Sequence, residues 1–212
     1  MKTEIISFYS DVDGTTYYSD CAKRLAPQLT ALDIPHDIRD KPSLGSYQKN
    51  CLSKPLFIAS MLAEKKKPVV WLDVDASVIR TMEMLDSYEG NTDIGIACSQ
   101  NNIMTAIPCM MYFGYTDASN WFLNEWISMC NALLEVGKWF DHEAMLSIIH
   151  NCKDNPNIRF KVAGPNYCVW PGHENDSSVV VLGLSDADSK KEKLRELGFN
   201  EESIEWQSPG IK

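Results

Sequence analysis

The chain alternates short apolar runs with longer segments in which apolar residues recur at helical spacing. Short runs rich in Val, Ile and aromatic residues are typical of buried strands, whereas helical spacing indicates a helix with one buried face. This alternation predicts an α/β fold with a mixed, mostly parallel sheet flanked by helices. Strands are predicted at residues 5–9, 37–39, 69–72, 93–98, 110–113, 158–162 and 179–182.

Several amphipathic segments carry signals for where helices begin and end. Pro27 indicates a kink or a second helix start, because proline lacks the N–H that a helix interior requires. Pro55 suits the first turn of a helix that ends in the Lys65–Pro68 run. Ser189 and Glu192 have the spacing of a capping box. Further helices are predicted at residues 18–32, 78–88, 122–134 and 142–152.

Length and composition limit the class of protein. With 212 residues and 44% hydrophobic content, the chain is expected to form a single domain over residues 1–212. A net charge of -9 argues against a protein that grips nucleic-acid backbones by charge alone. The apolar runs fall short of the about 20 residues that cross a bilayer, and residues 1–10 do not have the pattern of a signal peptide. We therefore expect a cytoplasmic protein without membrane insertion.

The cysteines give a further indication of environment. There are seven, at positions 21, 51, 98, 109, 130, 152 and 168, without C-x-x-C pairs. An odd number in largely apolar surroundings predicts reduced thiols in the core. The missing close pairs argue against a zinc site.

Two aspartates follow the apolar run Val69–Leu72, where a strand should end. Ligands of open α/β sheets bind just beyond the carboxyl ends of the strands. Mg²⁺ and Mn²⁺ prefer carboxylate and phosphate oxygens, and Mg²⁺ usually takes one or two carboxylates together with substrate oxygens. Asp73 and Asp75 are therefore candidate ligands of a cation that holds a diphosphate. The alternative is that they cap a strand or begin a turn.

The residues around this pair form a longer ordered pattern. Lys54-Pro55-Leu56-Phe57-Ile58 precedes Trp71-Leu72-Asp73-Val74-Asp75, and Tyr112-Phe113-Gly114-Tyr115-Thr116, Trp126 and Asp141-His142 follow. Over residues 5–170, the order and spacing resemble the K-P-x-F-I … W-L-D-x-D-A and Y-F-x-x-T … W … D-Q motifs of GT-A nucleotide-sugar glycosyltransferases. The resemblance implies a GT-A-like, Rossmann-like fold and metal-dependent transfer of a sugar from a nucleoside diphosphate, which we expect to be UDP. Relatives with this motif set mostly retain the configuration of the sugar. The hydroxyl acceptor stays open: a glycan, a protein, a metabolite or a modified nucleic-acid base.

The resemblance also implies roles for individual residues. Asp75 would chelate Mn²⁺ or Mg²⁺, and Asp73 would contact the donor ribose or reach the metal through water. Asp141 would reach the donor sugar or the acceptor, unless it is only a helix N-cap, and Glu143 is the second carboxylate with a candidate catalytic role. Two departures are visible: His142 stands where the family usually has Gln, and no clear His follows the last predicted strand to complete the metal shell.

Other candidate ligands each have a second interpretation. Tyr9, after the first strand, would stack on a uracil ring or belong to the core. Lys54 would pair with the diphosphate as a point charge or stand exposed at a helix start. His173 is a candidate third metal ligand, with Ser185 and Asp186 as further candidates, although a lone His beside glycine is often an exposed loop residue.

Two other functions are open at this stage. Asp11-Val12-Asp13-Gly14-Thr15 resembles the D-x-D-G-T signature of haloacid dehalogenase-like phosphatases, in which Asp11 would be the nucleophile and Asp13 the general acid and base. An Asp-Gly turn after a strand is a sufficient structural account of the same residues. The second alternative is a sugar-nucleotide binding protein without transfer chemistry, because a fold never guarantees activity.

Overall fold

The computed structural model describes residues 3–12, 14–136 and 140–183 of the chain. Eight strands are found there: β1 (Glu4–Tyr9), β2 (His36–Asp40), β3 (Val69–Leu72), β4 (Ser77–Val78), β5 (Ile94–Cys98), β6 (Ala106–Phe113), β7 (Phe160–Ala163) and β8 (Val180–Val181). Six of them form one sheet in the order β2-β1-β3-β6-β5-β7, and β4 pairs with β8 in a separate small sheet.

The main sheet is mixed and mostly parallel, as the sequence predicted. β1 runs parallel to β2 and β3, and β7 runs parallel to β5. β6 is antiparallel to both of its neighbours, β3 and β5. Five strands therefore point their carboxyl ends to one edge of the sheet, and β6 begins at that same edge.

Helices cover both faces of the sheet. They are α1 (Tyr17–Ala31), α2 (Tyr47–Leu52), α3 (Lys54–Lys65), α4 (Glu83–Asp86), α5 (Asp117–Val136) and α6 (Asp141–Cys152). Successive strand residues point to opposite faces, so Ile5 joins the core beside α1, whereas Ile6 joins the core formed with α3, α5 and α6. Both isoleucines are fully buried. This double burial explains why the strands appear in the sequence as continuous apolar runs.

Two local predictions differ from the structure, and one helix was not predicted. The predicted helix over residues 78–88 is wrong: Val78 pairs with Val180 in β4, and only the short α4 follows. α1 continues through Pro27 without a second start. α2 was not predicted from the sequence, and the helix predicted from Ser189 lies outside the described residues.

Two general expectations can be compared with the structure. All seven cysteines are free thiols; six are buried and Cys51 is half-buried. Among the described residues, no helix combines the length and the apolar character needed to span a membrane.

Candidate active site

A cavity of about 450 Å³ lies at the edge of the sheet where β1 and β3 end. The first residues of β6, α3 and α6 reach the same place, and α1 and α2 also contribute, so seven elements supply residues to it. The pairing of β1 with β3 brings Tyr9 and Ser10 close to Asp73, because parallel neighbours end at the same edge. Tyr9, Lys54, Asp73, Asp75, Asp141 and Glu143 all line this cavity. The structure thus brings together every candidate donor-binding and catalytic residue that the sequence indicated.

A tight turn after β3 carries the two aspartates. The backbone N–H of Asp73 donates to the carbonyl oxygen of Cys109 at 2.8 Å, and the N–H of Ala76 donates to the carbonyl of Asp73 at 3.0 Å. Trp71 Nε1 donates to Asp73 Oδ1 at 2.9 Å, which fixes one oxygen of this carboxylate. Within the described residues, the other oxygen of Asp73 accepts no hydrogen bond.

Asp75 is 6% exposed and lies directly against Gly183. Arg24 Nη2 donates to its backbone oxygen at 2.9 Å, which ties the turn to α1. On the other side, the carboxylate packs so closely against Gly183 that a β-carbon at that position would overlap it. The absence of a side chain at residue 183 is therefore a condition for the observed position of Asp75.

Lys54 is the charged centre of the cavity floor, and its side chain is only 8% exposed. Its Nζ lies 2.9 Å from Asp73 Oδ1, 2.7 Å from Asp141 Oδ2 and 3.3 Å from the carbonyl oxygen of Pro108. Burial opposes the charge, but the two carboxylates outweigh it and raise the pKa of Lys54. The ammonium therefore stays charged at neutral pH.

This arrangement corrects one of the two interpretations of Lys54. An ammonium group has three N–H donors, and three protein oxygens surround this one. Lys54 is thus buried at the start of α3 rather than exposed. It holds the carboxylates of Asp73 and Asp141 in fixed positions.

The first turn of α6 supplies another part of the cavity lining. The helix begins at Asp141, so its N-cap is Phe140 rather than the aspartate. Trp126 Nε1 donates to the backbone oxygen of Asp141 at 2.9 Å. Glu143 Oε2 accepts the N–H of Phe140 at 3.0 Å, and His142 Nε2 lies 2.8 Å from the carbonyl oxygen of Ala106.

Aromatic side chains form one wall of the cavity. The rings of Tyr18 and Tyr47 are within 10° of parallel with centroids 6.3 Å apart, and Phe140 lies 5.9 Å from Tyr47. Flat apolar faces of this kind suit a nucleobase or the apolar face of a sugar. Cys51 lies beside them as a neutral thiol, because burial raises its pKa.

The electrostatic balance of the cavity is acidic. Four carboxylates line it, on Asp73, Asp75, Asp141 and Glu143. Among the described residues, Lys54 is the one lysine that lines it. Such an excess of negative charge favours a divalent cation. In the described part of the chain, no group of three or more His, Cys, Asp and Glu residues is arranged as a complete metal site. A cation at Asp73 and Asp75 would therefore need further oxygens, which a diphosphate provides.

The remaining candidates lie elsewhere. His173 is exposed and does not line the cavity, so the structure does not bring it together with the two aspartates. Ser185 and Asp186 lie outside the described residues. Asp11 does not line the cavity; its Oδ1 accepts the N–H groups of Tyr18 and Ser19 at 2.9 and 3.0 Å and so caps α1. Asp13 also lies outside the described residues.

Among the residues of this cavity that sequence reasoning missed are Tyr47, Trp170 and Gly183. Tyr47 begins α2, and the N-cap Ser46, whose side chain accepts the N–H of Lys49, is the signal that predicts such a helix. Nothing local distinguishes Gly183, because its importance comes from Asp75, which is distant in sequence.

Comparison with solved structures shows the fold. A crystal structure of a glycosyltransferase involved in the glycosylation of the major capsid of PBCV-1 superposes with a TM-score of 0.62 and 11% identity, over 93% of this chain and 100% of that chain. The apo structure of the bifunctional glycosyltransferase WbbM matches with a TM-score of 0.54 and 12% identity, over 80% of this chain and 40% of that chain. Neither a family model nor a curated protein sequence matches the chain. At these identities the similarity shows the fold alone, a glycosyltransferase fold of the GT-A-like type.

Proposed function

We propose that the chain transfers a sugar from a nucleoside diphosphate donor to a hydroxyl acceptor, with Mn²⁺ or Mg²⁺ bound at Asp73 and Asp75. One observation carries the proposal: both carboxylates line an acidic cavity at the carboxyl ends of β1 and β3, in a fold of the glycosyltransferase type. Ligands of open α/β sheets bind at that edge. A cavity of about 450 Å³ is within the usual range for small-molecule sites.

Different side chains of the cavity would have different roles in binding. Asp75 and the second oxygen of Asp73 would hold the cation, while Lys54 and Trp71 keep Asp73 in place through its first oxygen. When bound, the cation would neutralise charge that builds on the departing nucleoside diphosphate. The aromatic wall of Tyr18, Tyr47 and Phe140 would hold flat groups of the substrates and exclude water from one side.

The finer assignments follow the sequence resemblance. We expect a UDP-linked sugar, with Tyr9 stacked on the uracil, and transfer with retention of configuration at the anomeric carbon. Asp141 would contact the donor sugar from the position in which Lys54 holds it. NMR of the first product formed would give the anomeric configuration, and an inverted product would contradict the expectation of retention.

The test is a donor screen. Nucleotide release is measured from UDP-glucose, UDP-galactose, UDP-N-acetylglucosamine and GDP-mannose, with Mn²⁺ and with EDTA. We expect release from at least one donor, dependent on the metal and lost in D75N. Binding of UDP with Mn²⁺ but without turnover of any donor would indicate a sugar-nucleotide binding protein instead. Phosphate release from a phosphomonoester that is lost in D11N would indicate the phosphatase.

A further inference from the structure

Transfer to a hydroxyl requires that its proton leave, and the cavity contains a group placed to take it. We propose that His142 binds the acceptor hydroxyl and accepts its proton at Nδ1. This inference rests on the proposed function and adds the residue that acts on the acceptor. The hydroxyl loses its proton whether the configuration of the transferred sugar is retained or inverted.

The hydrogen bond to Ala106 determines which ring nitrogen is available. His142 Nε2 lies 2.8 Å from the carbonyl oxygen of Ala106. A carbonyl only accepts hydrogen bonds, so Nε2 carries the hydrogen of this contact. In the neutral ring, Nδ1 then has the lone pair. Nδ1 has no hydrogen-bond partner among the residues that the structure describes, and the side chain lines the cavity.

Each carboxylate beside His142 has one oxygen engaged in another contact. Asp141 Oδ2 is 2.7 Å from the ammonium of Lys54, in a pair that is almost fully buried. Glu143 Oε2 accepts the N–H of Phe140 at 3.0 Å and so stabilises the start of α6. A base for the acceptor must be held in one orientation and still have a free lone pair. In this turn, His142 combines both conditions.

The step balances without a further reactant. The hydroxyl O–H bond breaks and its proton moves to Nδ1, while the oxygen forms a bond to the anomeric carbon of the sugar. The bond from that carbon to the phosphate oxygen breaks, and its electron pair leaves with the nucleoside diphosphate. The imidazolium then returns the proton to solvent or to the diphosphate.

Two substitutions separate the role of Nδ1 from the anchoring contact. H142Q retains an amide N–H that can donate to Ala106 but has no basic nitrogen, whereas H142G removes both. His150, an exposed residue in the last turn of the same helix, gives the matched control H150Q. The probe is nucleotide release from the donor that the screen identifies, with Mn²⁺ and with water as the acceptor.

We expect H142Q to lower kcat by about 10²-fold or more, the usual contribution of a positioned base, with unchanged affinity for UDP and Mn²⁺. Added imidazole should restore part of the activity of H142G, and H150Q should behave as wild type. The wild-type rate should fall as the pH is lowered, because protonation of the base removes its lone pair, and H142Q should lack this fall. The other titratable groups that line the cavity, unchanged in both proteins, are Tyr9, Tyr18, Tyr47, Cys51, Lys54, Asp73, Asp75, Cys109, Asp141 and Glu143.

Wild-type turnover and an unchanged pH profile in H142Q would overturn the inference while leaving the proposed function intact. If wild type releases no nucleotide from any donor, the proposed function fails and this inference fails with it. A loss of UDP affinity in H142Q that fully accounts for its lower rate would also overturn the inference, because the residue would then act on the donor.

Discussion

Replacing Lys54 by methionine tests a deeply buried electrostatic cluster. Methionine retains much of the volume of the side chain but removes the ammonium that lies 2.9 Å from Asp73 and 2.7 Å from Asp141. Asp141, 7% exposed, is then left as a buried carboxylate without its cation. Asp73 is 27% exposed and keeps the hydrogen bond from Trp71, so the solvent shields it in part.

The loss of folding stability therefore comes mainly from Asp141. Breaking a buried ion pair by removing one partner costs about 3–5 kcal/mol. In a chain of this length each kcal/mol corresponds to about 2–4 °C in Tm, so a fall of roughly 6–20 °C is expected. The double variant K54M/D141N also removes the unpaired negative charge of Asp141, and we expect it to be more stable than K54M alone.

Urea unfolding followed by tryptophan fluorescence measures this loss. Trp71 and Trp126 are both buried and donate to Asp73 and to the backbone of Asp141, so they report on the cluster itself. The control is K23M, which breaks a solvent-exposed ion pair and should leave the midpoint almost unchanged. A loss below about 1 kcal/mol for K54M, the range of exposed pairs, would refute the reasoning.

Two further predictions concern a close contact and the pH dependence of stability. G183A places a methyl group against the carboxylate of Asp75, and we expect metal-dependent nucleotide release to fall by about 10²-fold; the same change added to D75N should have no further effect, and a wild-type rate in G183A would contradict this. The Arg159 guanidinium, 2.7 Å from Asp93, lowers the pKa of that carboxyl. The stabilisation from Asp93 is therefore complete above about pH 4 and is lost as the pH falls through the lowered pKa. The stability difference between wild type and D93N in urea titrations should shrink on acidification, and a difference that stays constant from pH 7 to pH 3 would argue against the ion pair.

The fold was largely predictable because local apolar runs determine most of its strands. The run from Val69 to Leu72 is fully buried on both faces of the sheet, and this burial is visible in the sequence as an unbroken apolar stretch. The segment over residues 78–88 was predicted wrongly for the opposite reason. Val78 adopts a strand because it pairs with Val180, and periodicity within a segment does not report a partner so distant along the chain.

The site was predictable to a similar extent. Asp73 and Asp75 stand out because two carboxylates directly follow a buried strand. The role of Lys54 does not stand out in the sequence, because it depends on an ion pair with Asp141, which belongs to another helix. Gly183 matters only through its packing against Asp75, and His142 only through its contact with Ala106. Each of these properties arises from tertiary contacts rather than from the type of residue.

Isothermal titration of UDP, with and without Mn²⁺, into wild type and D75N tests the central claim most directly. A cation bound between the carboxylates and the diphosphate predicts that Mn²⁺ tightens UDP binding to wild type by about tenfold or more. The same account predicts that D75N binds UDP with little dependence on the metal. Equal UDP affinities in wild type with and without Mn²⁺, or a metal effect that D75N retains in full, would contradict it.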